Sequence, residues 1–374
     1  MVNVTLAEEI ATTPLIDHHV HGALRDPLDQ ANFEATITES DRPAAPGVSS
    51  FDSPVGFALL RFCAPLLNLE GEVSGARYVE RRLELGPEEV NRRLLRASGI
   101  AAYLIDTGFH TDGLLEPGEM AAMGEAQTYE VVRLEAIAQR LLDAETSPTS
   151  FADELERELV AARERGAVGS KSVLAYRSGF DIDTTRPDRG ALRQAIDRQL
   201  ARTTRVDEPV LLAHLLWAGV DLGLPLQIHT GFGDTDLTLH RANPSLLTPF
   251  LRESESAGVP VVLLHCYPYH REAGYLAQMF PHVYFDVGEA INYAGAQSRQ
   301  VVAESFALAP FAKQLFSSDA WGPAELHVLG AILWRRAMAR VLGEWVADGD
   351  WSETQARRVV QMVASENARS VYRI

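Results

Sequence analysis

From about residue 99 to the end of the chain, short apolar stretches typical of strands alternate with longer stretches that have helical spacing. Strands and helices that alternate in this way form parallel sheets, because each helix returns the chain to the edge where the next strand begins. An earlier apolar stretch at residues 14–16 leads into the first histidines and counts as one more strand. We therefore predict an α/β protein with eight βα units, a number that favours a closed (β/α)8 TIM barrel over an open sheet.

The later strands are predicted at residues 100–105, 129–134, 167–174, 224–229, 259–265, 283–287 and 314–318. Helices are predicted at residues 136–144, 151–165, 209–222, 245–257, 269–280, 298–307 and 324–346. Ser352 with Gln355 three residues later forms a capping-box pattern, which predicts the start of one more helix.

Residues 22–86 interrupt this alternation, and they are far too many for an ordinary loop between a strand and a helix. Residues 51–69 within them are apolar enough to pack. We predict a single barrel over residues 1–374, with residues 22–86 as a long insertion after the first strand. The insertion would form a lid over the barrel mouth or a dimer contact, and a purely structural elaboration is an equal alternative.

Composition narrows the class of protein. The net charge of −17 argues against nucleic acid as a partner, because nucleic acid selects basic surfaces. The chain begins without a basic segment or a long apolar run, no apolar run has the length needed to cross a membrane, and two cysteines make no disulfide framework. We expect a cytoplasmic protein that acts on a small molecule. Of 34 basic residues only Lys171 and Lys313 are lysine. In a chain that otherwise uses arginine, a lysine at a strand end suggests a role that arginine cannot fill.

Polar residues end most of the predicted strands, and the carboxyl ends of barrel strands are where barrel enzymes carry their chemistry. These residues are His19, His21, Asp106, Glu135, Lys171, His229, His265 and Asp319. His19 and His21 are two positions apart on a strand, so their side chains project from the same face. The three nitrogens of His19, His21 and His229 and the oxygen of Asp319 suit Zn²⁺, and with less preference Mn²⁺, Fe²⁺ or Co²⁺.

These residue types also suggest roles in a reaction. Asp319 could accept a proton from a metal-activated water, and His265 could polarise a substrate oxygen. Arg177 could bind a substrate carboxylate or lie on the surface, while Asp106 and Glu135 could bind an amino group or orient the histidines. Trp321 would wall the pocket or only pack. Six other histidines are expected to be structural: His110, His214, His240, His270, His282 and His327.

The run Asp17-His18-His19-Val20-His21, with His229, His265 and Asp319 on later strands, resembles the amidohydrolase superfamily of metal-dependent hydrolases, in its amidohydrolase-2 branch. Residues 227–234, Lys171 with residues 175–179, and residues 316–319 are similar to the amidohydrolase domain of FluG and nodulin-like proteins. A glutamine-synthetase domain is often fused to those relatives, and we expect this chain to lack it.

The resemblance implies that His19, His21, His229 and Asp319 ligate metal and that His265 is catalytic. In binuclear relatives a carboxylated lysine, here Lys171, bridges two ions, and His229 and His265 hold the second. In mononuclear relatives His229 joins the first ion and His265 stays free, and Lys171 as a plain ammonium that contacts substrate is a third possibility. The resemblance is therefore compatible with one metal ion or with two.

The function implied is hydrolysis of the C–N bond of an amide of a small amino-acid-like compound by metal-bound hydroxide. A non-oxidative decarboxylase or a lactonase of the same branch is the alternative, and a barrel that has lost catalysis and serves as a binding module is a further one. An even-numbered homo-oligomer is common for this family and is expected here.

Overall fold

The computed structural model describes residues 5–109, 113–202 and 205–374, so His110 lies outside the described residues. The described chain forms two compact units. Unit 1 consists of residues 5–105, 113–128 and 287–369, and unit 2 of residues 106–109, 129–202, 205–286 and 370–374.

Seven of the eight predicted strands are present. They are β1 (Leu15–Val20), β2 (Ile100–Asp106), β3 (Gln127–Arg133), β4 (Gly169–Ser172), β5 (Leu226–Thr230), β6 (Val261–His265) and β7 (Val283–Phe285). In unit 1, β1 pairs with β2 in parallel, and in unit 2 each of β3 to β6 pairs in parallel with the strand that follows it. β1, β4, β5 and β6 are buried along their whole length, as strands covered on both faces must be.

Each predicted helix is present, and its ends lie within a few residues of the predicted positions. The sequence did not predict the other helices. In all, the α-helices of the described residues number eighteen. They are α1 (Leu6–Thr12), α2 (Gln30–Thr36), α3 (Pro54–Phe62), α4 (Gly75–Leu85), α5 (Pro87–Ala97), α6 (Pro117–Gly124), α7 (Leu134–Asp143), α8 (Phe151–Glu164), α9 (Leu174–Arg177), α10 (Arg189–Arg202), α11 (Pro209–Leu222), α12 (Thr248–Ser254), α13 (His270–Met279), α14 (Ala290–Ala294), α15 (Ser298–Ser305), α16 (Ala324–Ala347), α17 (Glu353–Gln361) and α18 (Asn367–Tyr372). The capping box of Ser352 and Gln355 at the start of α17 is confirmed.

The predicted eighth strand at residues 314–318 is wrong as a strand, although the segment lies beside β1 within unit 1. The backbone N–H of His18 donates to the carbonyl of Phe316 (3.2 Å), as in a ladder. The N–H of Ser318, however, donates to the carboxylate of Asp17 (3.0 Å), and Asp319 adopts the left-handed region with φ 49°. A side chain therefore replaces a backbone partner, and the turn at Asp319 ends the extended path. The strand–helix repeat of an α/β TIM barrel is otherwise confirmed.

Residues 22–86, predicted as an insertion, contain α2, α3 and α4 and belong to unit 1. The segment is tied to α16 through Glu325, a fully buried carboxylate. Tyr78 donates to Glu325 from its hydroxyl (2.8 Å), and Arg82 donates from Nε (2.6 Å). These buried bonds order the segment, and its role as a lid or a dimer contact stays a prediction. Among the described residues, no helix has the length and apolar character that crossing a membrane requires.

Candidate functional site

His19 and His21 both direct Nε2 at one carboxylate oxygen within unit 1. His19 Nε2 lies 3.1 Å and His21 Nε2 3.6 Å from Asp319 Oδ1. The two imidazole rings are 5.2 Å apart and nearly perpendicular, and both histidines are buried. Two imidazole nitrogens and a carboxylate oxygen brought together in a buried place are the donors that Zn²⁺ and related divalent cations take. These residues fit a metal ion, and their role as its ligands stays a prediction.

Asp319 is positioned by Asp17, whose role the sequence analysis missed. Asp17 is fully buried and accepts the backbone N–H of Ser318 (3.0 Å) and its hydroxyl (2.5 Å). Burial raises the pKa of Asp17 to about 8, and the two Ser318 bonds oppose that rise. The available signal was spacing, because Asp17 lies two residues before His19. Asp17 thus fixes the turn that presents Asp319 to the histidines.

The backbone at the end of β1 is held by His327 of α16. Its Nε2–H donates to the carbonyl of His21 (3.0 Å). Burial lowers the pKa of His327 to about 4, so the ring is neutral at pH 7. This contact agrees with the structural role expected for His327. Trp321, proposed to wall a pocket, is half-buried two residues after Asp319.

A second acidic group of unit 1 was not predicted. Glu289 follows β7, is buried, and adopts a left-handed backbone conformation (φ 48°, ψ −68°) that is strained for a residue with a side chain. Tyr293 donates its hydroxyl to Glu39 (3.2 Å), which belongs to the predicted insertion. Burial raises the pKa of Tyr293, and so do the negative charges of Glu39, Glu289 and Asp319. These three carboxylates therefore lie near one tyrosine, and no strand-end signal marked Glu39 or Glu289.

Lys171 and Asp106, two predicted strand-end residues, meet in unit 2. Lys171 Nζ is 3.8 Å from Asp106 Oδ2, and both residues are buried. Arg133, the last residue of β3, donates to the same oxygen from Nε (3.0 Å) and Nη2 (2.6 Å). Asp106 is thus engaged by two cations of its own unit.

Glu135 lies in the first turn of α7, so the prediction that it ends a strand is wrong. The strand ends at Arg133 because the helix begins directly after it. Glu135 accepts the hydroxyl of Ser172 (2.7 Å) and the N–H of Val173 (3.0 Å), and burial raises its pKa. These bonds hold the end of β4, the strand that carries Lys171.

Arg177, proposed to bind a carboxylate, is a half-buried cation at the end of α9. Its Nε is buried with no hydrogen-bond partner among the described residues. Burial lowers its pKa, as do the positive charges of Arg205 and Arg133, while Glu135 and Asp236 oppose the shift. Arg205 donates to Asp236 (2.6 Å), so that carboxylate is already used. The Nε–H of Arg177 is thus a buried donor that no described residue accepts.

His229 and His265 lie at the ends of the adjacent strands β5 and β6, with ring centroids 4.6 Å apart. His229 Nε2 is 2.9 Å from the carbonyl of Phe232, which can only accept, so Nε2 carries the proton and Nδ1 keeps its lone pair. Tyr176 packs on His229 with centroids 4.4 Å apart. His265 has φ 66° and donates its backbone N–H to Asp286 (2.9 Å), which turns the chain at the strand end.

Comparison with known proteins agrees with this chemistry. The sequence profile of the amidohydrolase family matches residues 110–374, well over half of the chain. Protein fluG of Emericella nidulans is 28% identical over 417 aligned positions, which cover 99% of this chain and 47% of fluG. The chain therefore spans about half the length of that relative.

Solved structures extend the likeness over nearly the whole chain. A protein of Lactobacillus casei ATCC 334, described as a metal-dependent hydrolase, superposes with a TM-score of 0.85 at 25% identity, covering 98% of this chain and 97% of that one. Uronate isomerase of Thermotoga maritima superposes with a TM-score of 0.64 at 15% identity, covering 98% and 96%, and shows a shared fold. These findings define an enzyme of the metal-dependent hydrolase type. The chain belongs to the amidohydrolase family.

Proposed function

We propose that this enzyme hydrolyses the amide C–N bond of a small amino-acid-like compound that carries a carboxylate. The observation that carries the proposal is the convergence of His19 and His21 on Asp319, which joins a metal-binding donor set to a carboxylate able to move a proton. Membership of the amidohydrolase family supports the reaction class.

The proposed ligands of the ion are His19, His21 and Asp319, with His229 as the further ligand that the amidohydrolase-2 resemblance implies. Zn²⁺ is the proposed ion because it favours nitrogen donors combined with a carboxylate. When bound, a divalent cation lowers the pKa of water and polarises a carbonyl oxygen.

Proton transfer is assigned to Asp319. Its carboxylate would take the proton from the attacking water and return it to the amide nitrogen, so that the C–N bond breaks with release of an amine and an acid. His265 is proposed to donate a hydrogen bond to the oxygen on which negative charge develops. Asp17 would act as a positioning residue, since its bonds to Ser318 set the place of Asp319.

We propose one ion per chain and an ammonium form for Lys171. The support is the 3.8 Å approach of its Nζ to the Asp106 carboxylate, a contact that favours a positive charge. A carboxylated lysine would instead bring a negative group towards Asp106. Arg133 shares the same carboxylate, so two cations face Asp106.

Arg177 is the proposed site for the substrate carboxylate. A guanidinium presents paired N–H donors that match a carboxylate in shape and charge. Arg177 has an unsatisfied buried Nε and is repelled by Arg133 and Arg205, so an anionic group would relieve both costs. The next residue before it, Tyr176, packs against His229, one proposed ligand of the same unit.

The reaction class is tested by product analysis. Purified enzyme supplied with Zn²⁺ or Mn²⁺ would be screened against N-acyl and γ-glutamyl amides, lactones and aromatic acids. Release of a free amine together with an acid supports the proposal. Carbon dioxide as product would mean a decarboxylase, and acid without amine would mean a lactonase. A cytoplasmic location and a homo-oligomer stay predictions, to be tested by cell fractionation and light scattering.

Arg177→Gln is expected to lower kcat/KM for a carboxylate-bearing amide by about 10- to 100-fold, mainly through KM, because a charge-assisted pair is lost. Steady-state kinetics would be compared with those for the same amide whose carboxylate is replaced by a carboxamide. On that neutral substrate the variant and the original enzyme should perform alike. Arg252→Gln, at an exposed arginine of the same unit, is the matched control. An equal loss on both substrates would remove Arg177 from carboxylate recognition while leaving the amidase assignment intact.

A further inference from the structure

A cleft of unit 1 combines apolar walls with arginines. It has a volume of about 600 Å³ and lies between α3, the segment from Ala294 to Arg299, and α16. Its apolar lining includes Phe57, Ala58, Leu333 and Ala337. We call it the arginine cleft, because Arg61, Arg299, Arg336 and Arg340 also line it. None of these residues belongs to the candidate site described above.

The positive charges of the arginine cleft are poorly balanced. Arg299 pairs with Glu344, but Arg61, Arg336 and Arg340 make no ion pair within the described parts of the chain. Burial lowers the pKa of Arg336, and the charges of Arg340 and Arg61 lower it further, so both of these cations repel Arg336. Asp52 is the one carboxylate among the lining residues. Such a cluster is unexpected in a chain whose net charge is −17.

The walls of the cleft are built by close packing. The guanidinium of Arg336 lies over the ring of Phe62, with 4.8 Å to its centroid. A Cβ on Gly295 would fall 2.4 Å from the carbonyl oxygen of Pro54, so only glycine allows this approach of the two walls. Phe57 is 64% exposed although its helix neighbours Val55 and Ala58 are buried. The aromatic ring of Phe57 therefore lies in the cleft and is not packed in the core.

We propose that the arginine cleft binds an amphipathic organic anion. The headgroup, a carboxylate or a sulfonate, would lie between Arg61, Arg336 and Arg340, where guanidinium donors can bind it in pairs. An aliphatic or aromatic body would cover Phe57 and the apolar wall. The volume lies within the range of about 300–1,000 Å³ that small-ligand sites occupy. A concave surface of this size suits a small ligand better than a second copy of the chain, which would need a broad face.

The test uses anilinonaphthalenesulfonate, an aromatic anion whose fluorescence rises on binding, with calorimetry as the second measurement. The double variant Arg336→Gln with Arg340→Gln is expected to bind it about tenfold more weakly or worse. Decanoate should displace the probe, and decanol, which has the same chain without the charge, should displace it far less. Arg193→Gln with Arg252→Gln, at two exposed arginines of unit 2, is the control for total charge. Equal Tm values would establish that the variants are folded.

Two results would overturn the proposal. Unchanged probe affinity in the double variant would mean that the arginines do not form the site, and equal displacement by decanol would mean that charge is not recognised. A dimer in sedimentation that dissociates on Phe57→Ser, without probe binding in the original protein, would assign the cleft to contact between copies. Tenfold weaker binding in the double variant, with selective displacement by decanoate, supports the organic-anion site.

Discussion

Replacing Asp319 by asparagine is expected to lower kcat for amide hydrolysis by about a thousandfold or more, the range that a lost general acid–base group typically costs. Asparagine has nearly the same shape, but its amide cannot take up or return a proton at neutral pH. His19 and His21 both direct Nε2 at the Asp319 carboxylate, so the change also removes the negative donor that these imidazoles face. Kinetics on the amide identified by the substrate screen, at saturating metal, measure the effect.

A matched control is Asp348→Asn, which changes an exposed aspartate of the same unit and should leave kcat unaltered. Metal content and Tm measured on both variants separate a loss of proton transfer from a loss of the ion or of the fold. Turnover by Asp319→Asn within tenfold of the original enzyme, with metal still bound, would show that another group moves the proton.

His19→Ala is expected to weaken metal binding by at least about a hundredfold. Substituting a residue that only hydrogen-bonds to a metal ligand already costs about 10- to 100-fold in affinity, and loss of a ligand itself should cost more. His19 is fully buried and 3.1 Å from Asp319 Oδ1, so the change removes a donor nitrogen that lies beside this carboxylate. Titration with Zn²⁺ after removal of bound metal, followed by calorimetry, gives the affinity. Hydrolysis should fall in parallel at limiting metal.

His240→Ala, at an exposed histidine, should leave metal affinity unchanged. His327→Gln should give an intermediate loss, since His327 acts on the ligand strand only through the carbonyl of His21. Tight Zn²⁺ binding by His19→Ala would exclude it as a ligand. The same measurement on Lys171→Arg tests the number of ions, because arginine keeps the charge but cannot be carboxylated. Loss of one of two ions in that variant would replace the single-ion proposal.

The elements that the sequence predicted well are those whose signal is local. The helix at Pro209–Leu222 has the predicted ends, because Pro209 starts it and Gly223 with φ 74° stops it. The pairing of His19 with His21 also follows from local geometry, since strand residues two apart share a face. The strand at residues 314–318 failed because its backbone partner was partly replaced by the side chain of Asp17, 301 positions away.

The candidate site likewise contains some residues that local patterns predicted and others that only the fold revealed. Residue type and position at the ends of β1, β2 and β4 selected His19, His21, Asp106 and Lys171, whereas Asp319 was selected from a segment that is not a strand. No local sequence pattern could predict the partners that set the geometry of these site residues. Arg133 and Asp106 lie 27 positions apart on different strands, and only the fold brings them into a hydrogen bond. Glu39 and Tyr293 lie 254 positions apart and share a hydrogen bond that no periodicity could predict.

What the sequence by itself determined was the parallel α/β class and the metal-binding character of the chain, because periodicity and the chemical type of a side chain are properties of short segments. Only the tertiary structure decided which groups meet. It joined Asp17 to Ser318, set Glu135 on a helix, left Arg177 with an unused donor, and gathered the arginines of the cleft. Contacts of this kind depend on the packing of segments that are distant in the chain, and packing is the outcome of the whole fold.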